Sequence, residues 1–176
     1  MKWTVLVCAL PLLTACMSLK NVKELPSELI YQPPISGQMA TITGHLEPRY
    51  VKLVGDRISY IISINGKRIP KDRKQDYVNT WNVIYPIAAG EQTVKVKYQM
   101  AGYHTIPENI NFVAQADHSY ELNFVTDIGT SFNSGNSYAD VWIIDKANSQ
   151  PVSEVIRLNT VPEPRSYVYP IIVNSK

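Results

Sequence analysis

The only thiols in the chain, Cys8 and Cys16, both lie within the first 16 residues, so the remainder carries no sulfur nucleophile and no cysteine metal site. The three histidines, His45, His104 and His118, are scattered, without the H-x-H or H-x-x-x-H spacing that sets two imidazoles on one face. His118 follows Asp117 in a turn-like stretch, and surface histidines are the simpler reading for all three. An acyl-transfer serine is normally carried on a G-x-S-x-G elbow, and Gly129-Thr130-Ser131-Phe132-Asn133 lacks the second glycine. There is no P-loop and no H-E-x-x-H. The carboxylates show no local pairing of the kind acid–base chemistry uses. These residue types and spacings predict no catalytic site, no metal, no cofactor, and a protein that is not an enzyme.

Two other sets of side chains are candidates for contact rather than catalysis. Lys67, Arg68, Lys71, Arg73 and Lys74 form a basic cluster suited to anionic headgroups, lipopolysaccharide or an acidic partner, although Asp72 and Asp76 dilute it and a solvated loop is the plainer reading. Trp81 and Trp142 could offer a flat ring to a sugar face. Trp81 keeps phase with Val83 and Tyr85, which points to the core, whereas Trp142 alternates with Ile143 and is expected to face outward. A net charge of +2 argues against a nucleic-acid partner, because phosphate-binding domains are usually strongly basic.

The elements that would position these residues read as strands. From Met39 onward the hydrophobic period is close to two. Ile58, Tyr60, Ile62 and Ile64 alternate with polar neighbours, with Ile61 out of phase; Trp81, Val83, Tyr85 and Ile87 form the next face. Val94, Val96 and Tyr98, then Ile110, Phe112 and Ala114, then Tyr120, Leu122 and Phe124 continue the pattern. Val141 to Ile144 is apolar on both sides, as a central strand would be. Asn65-Gly66 is a hairpin signal, because both central residues of a type I′ turn need positive φ. No stretch after residue 38 has a helical period. The expectation is an all-β fold, a small antiparallel β-sandwich over residues 39–158. Asp127 to Asp140 reads as a Gly/Ser/Asn-rich loop, and residues 159–176 as an extended tail along a sheet edge.

Met1-Lys2 followed by the apolar run Trp3–Leu13 fits a secretion signal; at about 11 residues it is far below the roughly 20 a transmembrane helix needs. Leu13-Thr14-Ala15-Cys16 resembles the lipobox of bacterial lipoproteins. That resemblance implies removal of residues 1–15 and a diacylglyceryl group on Cys16, the new N-terminus. Met17, where enteric-type sorting uses Asp for inner-membrane retention, implies the outer membrane. About 160 residues would then remain, an ordinary size for one domain. Residues 16–38, with Pro26, Pro33 and Pro34, read as a tether of about 20 residues reaching roughly 65 Å at most.

Within the sandwich, Ile64-Asn65-Gly66-Lys67, Pro86-Ile87-Ala88-Ala89-Gly90-Glu91-Gln92-Thr93-Val94-Lys95-Val96 and Asp117-His118-Ser119-Tyr120-Glu121-Leu122 resemble PEGA-like and transthyretin-like domains of lipoproteins and periplasmic proteins. Gln92 stands where those domains often have His, and Ile87-Ala88-Ala89 is inserted before Gly90. Such domains are binding or structural modules, and no catalytic residue carries over. The sequence therefore predicts a lipid-anchored lipoprotein of the outer membrane facing the periplasm, a non-catalytic scaffolding module with an envelope-protein partner. The alternatives are a carbohydrate or peptidoglycan binder using Trp142, and an accessory lipoprotein of a secretion system.

Overall fold

A computed structural model describes residues 25–48, 55–71, 76–100, 103–127 and 137–162. Cys16 and its signal, Arg73, Lys74, the loop residues 128–136 and the tail beyond Pro162 lie outside the described residues. The strands run β1 (Met39–Thr43), β2 (His45–Glu47), β3 (Arg57–Ile64), β4 (Lys67–Arg68), β5 (Tyr85–Ala88) and β6 (Gly90–Met100). They continue as β7 (Tyr103–Thr105), β8 (Glu108–Ala114), β9 (Ser119–Thr126), β10 (Tyr138–Asp145), β11 (Gln150–Pro151) and β12 (Ile156–Pro162). Short 3-10 turns at Ser27–Leu29 and Tyr77–Thr80 are the helical elements among the described residues. The fold is all-β.

The hydrogen-bonded path is β2-β3-β6-β7-β12-β10-β9-β1-β5, with β4 added to β3, β8 to β6 and β11 to β10. The path curls until its inward faces meet. Strand alternation supplies those faces: along β6 the buried residues are Gln92, Val94, Val96, Tyr98 and Met100, and along β10 they are Ala139, Val141, Ile143 and Asp145. Tyr98 meets Phe124 of β9 edge-on with ring centres 5.0 Å apart, and Phe112 of β8 meets Tyr120 at 5.1 Å. Such edge-to-face pairs contribute about 0.5–1.5 kcal/mol beyond the area they bury.

Both ends of the path are tied back covalently. β2, the first strand, continues from β1 through Gly44, and β5, the last, continues into β6 through Ala89. At the second corner Gly90 takes φ 107°, which glycine adopts without strain. At the first, the constraint is space. A Cβ on Gly44 would sit 2.5 Å from the Ser59 carbonyl oxygen and 2.7 Å from that of Trp81. Ser59 is held in the β2–β3 ladder, and the Trp81 carbonyl accepts the Thr43 hydroxyl at 3.0 Å, so neither steps aside freely.

The hairpin at Asn65-Gly66 has both residues at positive φ, 50° and 76°. Asn65 also accepts the Thr93 amide at its Oδ1 and donates Nδ2–H to Gln92 Oε1, each at 2.9 Å. The turn is thereby fastened to β6.

Five features depart from the sequence reading. β1 runs parallel to β9, whereas the other strand pairs among the described residues are antiparallel. A bulge between Ile61 and Ser63 shifts the β3 register, so Ile61 and Ile64 point inward opposite Val96 and Val94. Tyr60 is buried on the other face, in the strand against which the Tyr77–Thr80 turn packs. Trp81 does not begin a strand: the Thr80 hydroxyl donates to the Tyr77 carbonyl, Trp81 takes helical angles, and Val83 and Ile84 are exposed before β5 starts at Tyr85. The end of the expected tether is docked. Tyr31 is buried, its amide donates to the Arg68 carbonyl at 2.7 Å, its hydroxyl donates to the Pro86 carbonyl, and Ile30 bridges Arg68 in parallel. At the other end, β12 runs through position 158, so Asn159–Pro162 are sheet rather than tail.

Gly44→Ala is expected to lower stability by about 2–3 kcal/mol. Gly66→Ala meets open space and is expected to lose only about 1 kcal/mol through its positive φ. Urea midpoints at unchanged slope measure both, and equal losses would mean that the Gly44 crossing is not space-limited.

Candidate functional site

A concavity arises where one strand ladder opens. Thr160, Val161 and Pro162 of β12 pair with Thr105, His104 and Tyr103 of β7. Seven residues back along the chain, Ser153 bridges Phe112 of β8 in the same antiparallel offset. Between these two closures the strands part, because Ile156–Asn159 pair instead with Tyr138–Val141 of β10, in the opposite half of the curl. The gap is a groove of about 820 Å³, lined by Asn109, Asn111, Phe112 and Val113 on one side and Val152, Glu154 and Ile156 on the other.

Both closures are pinned. Thr105, fully buried, accepts the Tyr98 amide at its hydroxyl (2.9 Å) where the chain shifts register ahead of Pro107, which has no amide proton to offer. Ser153 accepts the Ile143 amide at its hydroxyl and donates to the Glu154 carbonyl, each at 2.9 Å. β8 is thus paired to β6 along one edge, Gly90–Val96 against Glu108–Ala114, while its other edge borders the groove. A strand edge beside an open trough can accept an extended peptide, with main-chain hydrogen bonds for affinity and alternate side chains for selectivity.

The residues singled out from sequence do not converge. Trp142 lies half-buried on the outer face of β10, opposite Asn123 of β9. Its aromatic neighbour on that strand, Tyr138, is already covered: the Arg157 guanidinium carbon sits 3.8 Å from the Tyr138 ring centre. Arg157 also grips both carboxylate oxygens of Asp140 at 2.8 Å, and that bond raises its pKa. Lys67, Arg68 and Lys71 are exposed around β4, on the β3 side of the path, with the Lys71 ammonium 5.1 Å from the Tyr77 ring centre. Arg73 lies outside the described residues. Trp142 and the basic residues therefore belong to separate surfaces.

Two histidines have carboxylate partners that sequence reasoning missed. His45 Nδ1 lies 2.7 Å from Glu121, whose other oxygen lies 3.6 Å from the Lys146 ammonium. His118 Nδ1 meets Asp145, and its ring stacks on Tyr120. No local signal marks either pair, since the partners come from strands distant in sequence. Among the described residues no group of three His, Cys, Asp or Glu side chains could hold a metal ion. The groove was missed as well; the one cue was Pro107, which interrupts the β7–β8 run.

The inner end of the fold carries a polar cluster around Tyr98. Burial raises the Tyr98 phenol to about 12, with the Arg57 guanidinium pulling the other way. Arg57 is the cross-strand neighbour of Glu47, which accepts from it at 3.4 Å. This cluster is not part of the groove lining.

The chain matches no protein-family model, no curated protein and no solved structure.

The Asp145 carboxyl is held below its usual range, first by the Ala147 amide and then by His118. A carboxyl depressed on folding stabilises the protein above its unfolded value, near pH 4, and loses that contribution as pH falls through the lower folded value. The urea midpoint of the natural chain should exceed that of Asp145→Asn at pH 5, with the gap narrowing toward pH 2. A gap constant over that range would show that Asp145 is not depressed by folding.

Proposed function

We propose that this protein is a bacterial lipoprotein, anchored through Cys16 to the outer membrane and facing the periplasm, that works as a non-catalytic protein-interaction module of the cell envelope. The PEGA-like or transthyretin-like sandwich is the proposed fold relationship. The observation that carries the interaction reading is the groove between β8 and residues 152–156, where a strand edge borders a trough about 820 Å³ in volume. An extended segment of a partner protein would add to β8, with Phe112 and Val113 meeting its alternate side chains. The Leu13-Thr14-Ala15-Cys16 quartet supports the anchor. A carbohydrate or peptidoglycan reading is favoured by one observation, the outward placement of Trp142 on β10.

Two measurements test this. Cys16→Ala should move the protein from the membrane fraction to the soluble fraction; unchanged membrane association would remove the lipid-anchor reading. A photocrosslinking side chain at Asn109, used in native membranes, should capture a defined envelope protein, and Glu154→Trp, which fills the groove, should abolish that capture. Capture that persists in Glu154→Trp would remove the groove as the contact. Retention on purified peptidoglycan that is lost in Trp142→Ala, with nothing captured from Asn109, would replace the interaction module with the glycan reading.

A further inference from the structure

Three exposed large apolar side chains fall on one short segment: Leu25, Leu29 and Ile35, at 41 %, 47 % and 100 % exposure. Single exposed hydrophobic residues are ordinary. These three are grouped, and the segment bearing them is fastened to the body. Tyr31 is buried at its centre, and the Tyr31 amide and the Ile30 bridge hold it to Arg68. Pro34, just before Ile35, lines a small cavity of about 180 Å³ together with Lys67. The docked strap therefore lies beside Lys67 and Arg68, both exposed, with Lys71, also exposed, three residues further along the chain and its ammonium over the Tyr77 ring. Counting Glu28 on the strap with Asp72 and Asp76 in the basic stretch, three carboxylates are set against the five cations Lys67, Arg68, Lys71, Arg73 and Lys74, so strap and stretch together carry a net charge of +2.

We propose that the strap and the β4 hairpin form a membrane-contact surface, in which Leu25, Leu29 and Ile35 enter the bilayer interface and Lys67, Arg68 and Lys71 engage anionic phospholipid headgroups. Apolar burial and charge attraction act together in such contacts, and neither is needed at full strength when both are present. The chain preceding the strap points to the same occupant. Leu25 follows Cys16 by about nine residues, so an anchor at Cys16 would keep this end within roughly 30 Å of the bilayer. That last step rests on the lipoprotein reading; the composition of the patch does not.

The test uses the unlipidated mature chain, residues 16–176 with Cys16→Ser, sedimented with vesicles of phosphatidylcholine alone or mixed equally with phosphatidylglycerol. Binding is expected to the mixed vesicles and to weaken with salt. The Lys67→Gln, Arg68→Gln, Lys71→Gln triple variant should bind on the order of a hundredfold more weakly, at roughly fivefold per cation. The Leu25→Ser, Leu29→Ser, Ile35→Ser variant should lose about tenfold or more. All six positions are exposed, so thermal midpoints should stay within a few degrees and report intact folding. Equal binding to both vesicle types, no binding to either, or full binding by both variants overturns the proposal. The mass of Cys16-containing peptide from native membranes tests the anchor separately: a lipidated Cys16 with no vesicle binding would leave the lipoprotein reading standing and remove this surface.

Discussion

Two neighbouring strands hydrogen-bond at about 4.8 Å, whereas two facing sheets pack about 10 Å apart. A sheet that curls onto itself must pass from the first spacing to the second somewhere along its seam, and much of this structure follows from where that happens. β12 meets the condition by dividing its length. Its last three residues stay in hydrogen-bonding range of β7, and its first four follow β10 into the opposite half. The ladder toward β8 must then open, and it closes again only at Phe112 and Ser153. The groove is thus a consequence of curvature, kept from collapsing by Thr105 at one closure and Ser153 at the other.

The same condition explains the corners. A chain that changes halves needs residues able to turn sharply or to pass close to another backbone. Gly90 provides the first through its positive φ, and Gly44 the second through its missing Cβ. Corner segments leave backbone groups without ladder partners, and side chains or neighbouring loops supply them. The Thr43 hydroxyl serves Trp81, the Gln38 carbonyl serves Ala89, and the Thr105 hydroxyl serves Tyr98. Hydroxyl-bearing residues gather at the seams because buried backbone without a partner would cost on the order of 1–3 kcal/mol per group.

Much of the strand content was legible because it is local. β6, β9 and β10 alternate cleanly, and Asn65-Gly66 specified its own turn. What was not legible is non-local. The β3 bulge adds one residue, and a period of two cannot reveal which residue is extra; Ile61 stood out of phase in the sequence because the phase changes there. The parallel pairing of β1 with β9 joins residues nearly 80 positions apart. Trp81 kept strand phase in the sequence, but the preceding turn, closed through Thr80 and Tyr77, overrode it. Tyr31 looked like part of a spacer because its acceptors, the Arg68 and Pro86 carbonyls, belong to distant strands. The groove was hardest to foresee, since it is defined by an absence of pairing between strands whose sequences both favour pairing.

Strap and groove are close along the hydrogen-bonded path, and this bears on how the two proposals fit together. The Asn65 amide donates to the Thr93 carbonyl, and the Thr93 hydroxyl donates to Asn111, which lines the groove. β4 and β8 are therefore separated only by β3 and β6, a width of three ladder spacings or about 15 Å. With the strap against a bilayer, the β8 edge would lie close above the lipid surface rather than at the far pole of the domain. A partner strand added there would itself run near the membrane. If both proposals hold, an extended segment emerging from the same membrane would reach the β8 edge more directly than one approaching from farther away.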